Sequence, residues 1–365
     1  MEITDLLVLT RERNASDLHL AAGAPPTLRV NGELVRVGDG PLSREAMHRL
    51  LYDVLADDQK ARFEATHDLD FSLELHNVGR FRVNAFMHRM GEGMVLRLIP
   101  EKVRTLDELG MPPVLKEMSM KDRGLVLLTG PTGSGKSTTM AGMVRHMNEH
   151  RYDHVITIED PIEFVHTPLH CNINQREVGP HTLSFAAALR SALREDPDVI
   201  LVGEMRDLET ISQAMTAAET GHLVLSTLHT NNAAQTISRI VDVFPPHQQE
   251  QIRVQLADAL LGIIAQTLIP TLDNKGRVAA QEIMIATPAV RNMVRENKTF
   301  QLPSAIQTGA KEGMQSLDQH LKSLVKLRRI SQEEAVKRAV EREAFMQDKP
   351  GSVGEGEFTG FSSRR

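Results

Sequence analysis

Residues 124–140 read GLVLLTGPTGSGKSTTM, an apolar run and then Gly130, four residues, Gly135, Lys136 and Ser137. This is the complete phosphate-loop pattern G-x-x-x-x-G-K-[ST]. Glycines let the backbone curl until successive N–H groups face phosphate oxygens. The segment Gly130, Pro131, Thr132, Gly133, Ser134, Gly135, Lys136, Ser137 and Thr138 is therefore expected to bind ATP. Lys136 would reach the β- and γ-phosphates and the Ser137 hydroxyl would ligate Mg²⁺. A helix-compatible run follows, so its positive end would face the anion.

Working outward, short apolar runs alternate with helical stretches: Leu125–Leu128, Val155–Ile158, Val199–Val202 and Leu223–Leu225. Continuous apolar strands between helices predict a sheet buried on both faces, hence an α/β fold. The most apolar stretch, around Leu260–Ile269, is interrupted by Gln266 and Thr267 and is too short to cross a bilayer. After about 285 the chain reads as helical. Val290, Met293 and Val294 share one face, and Met314, Leu317, Leu321 and Leu324 share another. Ser331 with Glu334 predicts a capping box for a last helix. The tail beyond about 346, rich in Gly, Ser and charge, is expected to be disordered.

Residues 1–100 read as mixed α+β. Ser43 is placed as an N-cap ahead of Met47, Leu50, Leu51, Val54 and Leu55 at helical spacing. Phe81, Val83 and Ala85 alternate with Arg80, Arg82 and Asn84, the pattern of a half-exposed strand, and Met94–Ile99 reads as another, carrying Arg97. Pro100 and Pro112–Pro113 place a linker within 101–118. The expected organisation is an N-terminal α+β domain (1–100), the linker, an ATPase domain (119–285), a helical region (286–345) and the tail (346–365).

A phosphate loop needs an acidic partner on a neighbouring strand. Glu204 ends the apolar run Asp198–Val202 and would stand at the carboxyl edge of the sheet, where ligands of open α/β sheets bind. A second acidic turn, Glu159, Asp160 and Glu163, follows the Val155–Ile158 run. His222 and His229 flank the Leu223–Leu225 strand. No Cys lies near and no H-E-x-x-H occurs, so a zinc reading is poor, whereas Thr227, His229 and Thr230 at a strand end can hydrogen-bond a γ-phosphate.

Composition narrows the partners. Net charge is −6, aromatics make up 4%, and there is no tryptophan. Nucleic-acid binders carry a basic excess, and single-strand binders use aromatic stacking platforms, so no direct nucleic-acid partner is expected. The single cysteine, Cys171, permits neither an internal disulfide nor a multi-cysteine zinc site. The N-terminal segment carries acids where a signal peptide needs bases. A cytoplasmic protein, brought to the membrane by a partner, is the expectation.

Together Gly130–Thr138, Ile158–Glu163, Asp198–Glu204 and Gly221–Thr230 resemble the Walker A, Asp, Walker B and His boxes of the secretion ATPases of type II secretion and type IV pili. Ser16–Leu20 and Gly23–Gly32 resemble the start of that family's PAS-like N-terminal domain, and the likeness runs from about residue 1 to 345. Three features resemble the pilus-retraction branch: the chain begins almost at once with the PAS-like domain, no paired C-x-x-C motif is present, and Ala289–Glu296 is similar to a retraction signature. The resemblance implies a RecA-like ATPase domain and a homohexameric ring. It implies a pilus platform protein in the inner membrane as partner, with a second retraction ATPase as a possible companion. It also implies arginines that approach the phosphates from the N-terminal domain, at Arg82 and Arg97, with Arg80 a third candidate. Glu204 would polarise the attacking water and Glu163 would assist with Mg²⁺ or water. The alternatives that stay open are an accessory retraction ATPase of the same system, a nucleic-acid motor, and a non-enzymatic nucleotide switch.

Overall fold

The computed structural model describes residues 2–347 apart from 31, 39 and 101; the expectation for the tail lies outside them. Its first six strands are β1 (Asp17–Ala21), β2 (Thr27–Val30), β3 (Glu33–Arg36), β4 (Asp68–Leu75), β5 (Gly79–His88) and β6 (Gly91–Leu98). They form one antiparallel sheet in the order β3-β2-β1-β6-β5-β4. One face is apolar, as strand alternation requires. Leu18, Leu28, Phe81, Val83, Ala85 and Leu96 are buried there with Leu6 and Leu7 of the helix Ile3–Glu12 and Met47 and Leu51 of the helix Arg44–Tyr52. Ser43 caps the latter by accepting from Ala46 N–H. That helix stops before Val54 and Leu55, which pack on the same core from the turn that follows. The Pro112–Pro113 pair leads into a short helix, Val114–Ser119.

Next come β7 (Gly124–Thr129), β8 (His154–Glu159), β9 (Asn172–Glu177), β10 (Val199–Val202), β11 (Leu223–Leu228), β12 (Leu260–Pro270) and β13 (Arg277–Ile285). Contacts gather the chain into two compact units, Met1–Gly124 with Ser137–Ser226, and Leu125–Lys136 with Thr227 onward. In the first, β9, β8, β10 and β11 pair in parallel in that order. In the second, β7 pairs in parallel with β12, and β12 antiparallel with β13. Every residue of β7, β10 and β11 is buried, which explains the apolar runs Leu125–Leu128, Val199–Val202 and Leu223–Leu225 within them.

The stretch around Leu260–Ile269, read from sequence only as an apolar run, is the core of β12, and its hairpin partner β13 was not foreseen. Neither was β9, whose Asn-Ile-Asn-Gln-Arg-Glu sequence is too polar to announce a strand. Beyond β13 the described chain is helical, as expected. Val290 and Val294 of the helix Pro288–Arg295 are fully buried, and Leu321 and Leu324 of Leu317–Lys326 join a core with Ile269, Val278 and Phe345. Ser331 caps the helix Gln332–Arg338, but the Glu334 carboxylate pairs forward with Lys337 and Arg338, and a further helix, Arg342–Gln347, follows. Cys171 is buried, its thiol against the carbonyls of Met147 and Arg151, and burial pushes its pKa up.

Candidate functional site: a phosphate loop and an acidic sheet edge

The loop leaves buried β7 and enters the helix Lys136–His150. Gly130, Gly133 and Gly135 all adopt positive φ, at 138°, 78° and 86°. At Gly130 close approach adds to conformation. A Cβ there would stand 2.2 Å from the Gln266 carbonyl oxygen and 2.7 Å from Ser134 Oγ. The loop therefore lies directly on β12, which also holds it by a side chain. Gln266 Nε2 donates to the Ser134 carbonyl at 2.7 Å, and Gln281 Nε2 on β13 donates to Gln266 Oε1 at 2.7 Å. Both glutamines are buried. In an apolar environment such amides must be paired, so the two act as a fixed buttress. Gln266, read from sequence as an interruption of an apolar run, is thus what supports the phosphate loop.

Lys136 is 9% exposed, and its ammonium donates to the carbonyls of Gly130 at 2.7 Å and Pro131 at 3.1 Å. Among the described residues the buried Ser134 Oγ has no hydrogen-bond partner. Pro131, Thr132 and Gly133 are exposed, while Ser137 and Thr138 are half-buried in the first turn of the helix. An anchored cation, a helix N-terminus and left-handed glycines with an open rim fit a polyphosphate.

The acids meet at the edge of the first unit. β8 and β10 are parallel with Ile158 opposite Val202, and Gly203 N–H donates to the Ile158 carbonyl at 2.8 Å. Glu159 and Glu204 therefore leave neighbouring strands on the same carboxyl edge. Arg206, which sequence reasoning missed, grips Glu204 bidentately, Nε at 2.5 Å and Nη2 at 2.6 Å. Those hydrogen bonds push the Arg206 pKa up, and the charge of Asp160 adds to the effect. Glu159 turns inward, accepting from Thr157 Oγ1 at 2.6 Å, Gln175 Nε2 at 3.0 Å and the Glu163 N–H. Burial raises its pKa against those bonds. Asp160 and Glu163 are exposed on the same turn.

The two histidines part company. His229 follows the carboxyl end of β11 and is exposed, and nearby Thr230 shares a hydrogen bond with Thr236 at 2.7 Å. His222 precedes β11, at the opposite end of the strand, where its Nδ1 faces the Ala217 carbonyl at 2.9 Å. It closes the C-terminus of the helix Leu208–Glu219 and does not share the carboxyl edge with Glu204.

On the polar face of the N-terminal sheet, register aligns Arg29, Asp17, Arg97, Arg82 and Ser72 across neighbouring strands. Arg97 is 68% exposed, and its Nε donates to Asp17 Oδ1 at 2.8 Å. For Asp17, burial is outweighed by the Ser16 hydroxyl and Arg97, which hold its carboxyl below the usual range. Arg82 is exposed beside Arg97. Arg80, the third candidate, is instead only 15% exposed and pairs with Glu177 of β9 at 2.5 Å.

The comparisons with known proteins agree with this geometry. The family model for the Type II/IV secretion system protein matches residues 3–352. The type IV pilus retraction ATPase PilT of Pseudomonas aeruginosa is 56% identical over 345 residues, 94% of this chain and 100% of that one. A twitching motility protein of Neisseria gonorrhoeae is 52% identical over 88% of this chain and 86% of its own. A crystal structure of the pilus retraction motor PilT with bound ADP superposes with a TM-score of 0.89 at 45% identity, covering 95% of this chain and 99% of that one. With a RecA-like core, a complete phosphate loop and relatives of this closeness over its whole described length, the chain belongs to the type II/IV secretion system protein family and, within it, to the ATP-hydrolysing pilus-retraction motors.

Proposed function

We propose that the chain works as a homohexameric ring whose ATP hydrolysis drives retraction of a type IV pilus. The observation that carries this reading is the glycine loop seated on β12 with Lys136 folded onto its carbonyls. When ATP enters, the β- and γ-phosphate oxygens take the Lys136 ammonium from Gly130 and Pro131, and the helix N-terminus meets the same charge. The donor set fits Mg²⁺, which is held by one or two protein oxygens together with substrate phosphates. Ser137 would supply the hydroxyl, and bound Mg²⁺ would neutralise charge between the β- and γ-phosphates.

Glu204 orients the attacking water. One carboxylate oxygen must leave the Arg206 guanidinium to accept the water's hydrogen bond. Glu163, exposed on the neighbouring turn, assists with Mg²⁺ or water. Asp160 lies on the same turn, and His229 stands at the sheet edge to sense the γ-phosphate. Arg82 and Arg97 stabilise charge on the transferring phosphoryl group.

No helix among the described residues is long and apolar enough to cross a bilayer. A cytoplasmic motor held at the inner membrane by the pilus platform protein fits that. The helix Pro288–Arg295, which overlaps the Ala289–Glu296 retraction signature, is the proposed coupling element.

The test is deletion of the gene, scored for surface pili and twitching, with complementation by wild type and by Lys136→Ala. Hyperpiliated, non-motile cells rescued only by the wild type are expected. Bald cells would refute retraction in favour of assembly, and an unaltered phenotype would point to an accessory motor. Turnover stimulated by DNA would favour a nucleic-acid motor.

A further inference from the structure

The Glu177 carboxylate is 4% exposed and joins three pieces of the first unit. Its Oε1 accepts from Ser72 Oγ of β4 at 2.8 Å. Its Oε2 accepts from Arg80 Nη2 of β5 at 2.5 Å and from the Ile162 N–H at 3.2 Å. Ile162 is the residue before Glu163. Gln175, two residues earlier on β9 and so on the same face, straps the same loop by donating to the Phe164 carbonyl at 2.8 Å and accepting from the His166 N–H at 2.8 Å. β9 therefore holds the Glu159–His166 loop by two side chains, and only Glu177 continues into the N-terminal sheet.

The N-terminal partners are placed to report on the arginine row. Arg80 precedes Arg82 by two residues on β5, on the same face, and Ser72 is the cross-strand neighbour of Arg82. A buried guanidinium depends strongly on its carboxylate. Apart from Glu177, the other carboxylate near Arg80 is Glu74, 72% exposed and 3.8 Å away, and Arg80 Nε is buried without a hydrogen-bond partner among the described residues.

We propose that Glu177 is a positioning residue that ties the loop bearing Glu163 to the N-terminal sheet through Ser72 and Arg80, so that the arginine row and the acidic loop move together. The proposal rests on the reading of that loop as part of the hydrolytic site. It assigns Arg80 a mechanical duty in place of phosphate contact.

The experiment is a double-mutant cycle on the full chain, with Glu177→Gln, Arg80→Gln and the double variant, alongside Glu163→Ala and Ser72→Ala. The Glu177→Gln side chain keeps the volume and an acceptor but strands the Arg80 charge. Loosening the loop should lower turnover by about tenfold, short of the roughly 100-fold that a misplacement of about 1 Å costs. The expected result is that fall in kcat with KM for ATP changed by less than about threefold, since the phosphate loop is untouched. The double variant, a neutral amide pair, should recover most of the lost kcat, which a change in melting temperature alone would not produce. Ser72→Ala should show a smaller fall in the same direction. Wild-type kcat in Glu177→Gln, while Glu163→Ala loses turnover, would overturn the proposal alone. Undiminished turnover in Glu163→Ala would overturn the catalytic reading of the loop and this proposal with it. Equal losses of kcat in the double and single variants would also overturn it.

Discussion

Replacing Gly130 with alanine tests whether the phosphate loop is fixed by contact with β12 or merely by its own flexibility. The added Cβ would lie 2.2 Å from the Gln266 carbonyl oxygen, where carbon–oxygen contacts settle at about 3.3 Å, so the loop or the strand must retreat by about 1 Å. β12 is paired on both sides, by β7 and β13, so the loop is the part that moves. Gly130 also presents a carbonyl to Lys136, and its displacement misaims the ammonium as well. A misplacement of about 1 Å in a catalytic geometry costs on the order of 100-fold in rate. Overpacking should cost a further ~1–3 kcal/mol of stability. Gly133→Ala is the control: its φ is 78°, but a Cβ there meets nothing within 4 Å, leaving only the left-handed penalty of roughly 1–2 kcal/mol. Phosphate release, fluorescent-nucleotide titration and thermal melting should be measured together. Gly130→Ala is expected to lose about 100-fold in turnover, with weakened nucleotide binding, and Gly133→Ala less than about tenfold. Turnover of Gly130→Ala within twofold of wild type, or equal losses in both variants, would refute the reasoning.

Glu204→Gln should leave ATP affinity nearly unchanged while lowering turnover by about 10²-fold or more, since an amide cannot accept the water's proton; parallel loss of binding and turnover would make Glu204 chiefly an Mg²⁺ or structural group. Arg291 donates to the carbonyls of Ala286, Ala257 and Asp258, closing the helix Gln249–Ala259, so Arg291→Ala should lower the melting temperature. Arg295, paired at the surface with Asp258, is therefore the cleaner probe of the retraction signature. Arg295→Ala should keep ATP turnover and stability yet impair twitching, and normal twitching would make that arginine structural. Burial lowers the His166 pKa to about 4 from 6.5, so the unfolded chain binds a proton that the folded one refuses between those values. Stability should fall as pH drops from about 6.5 towards 4, by at most ~3 kcal/mol from this group. His166→Gln should flatten that slope in urea titrations, and an unchanged slope would remove His166 as its source.

The phosphate loop was legible because its constraint is local: four spaced positions must be glycine, lysine or hydroxyl for reasons that need no distant partner. The buried parallel strands were legible for a related reason, since burial on both faces leaves only apolar residues in β10 and in Leu223–Leu225 of β11. Strand alternation placed Arg82 on the open face of β5 correctly, but it put Arg80 on the same face and could not distinguish them. What separates them is Glu177, 97 residues further on, whose carboxylate has no sequence signature. Gln266 misled for the opposite reason. A polar residue in an apolar strand looks like a flaw until its partner, a loop carbonyl 132 residues earlier, is seen. His222 was paired with His229 by symmetry around the strand, although chain direction alone sets them at opposite ends. Helical periodicity likewise does not disclose that Arg291 reaches the carbonyls of a neighbouring helix end.

The burial of Cys171 has a practical consequence. Its thiol sits beneath the carbonyls of Met147 and Arg151 with a raised pKa, so little thiolate is presented to electrophilic dyes near neutral pH. The chain also contains no tryptophan. A cysteine introduced on an exposed position of the N-terminal sheet would be the preferred target of a maleimide probe. A single tryptophan placed near the acidic edge would fluoresce against a background of two tyrosines. Any change at those positions during turnover can thus be followed optically in an otherwise wild-type chain, without first stripping native reporters from the protein.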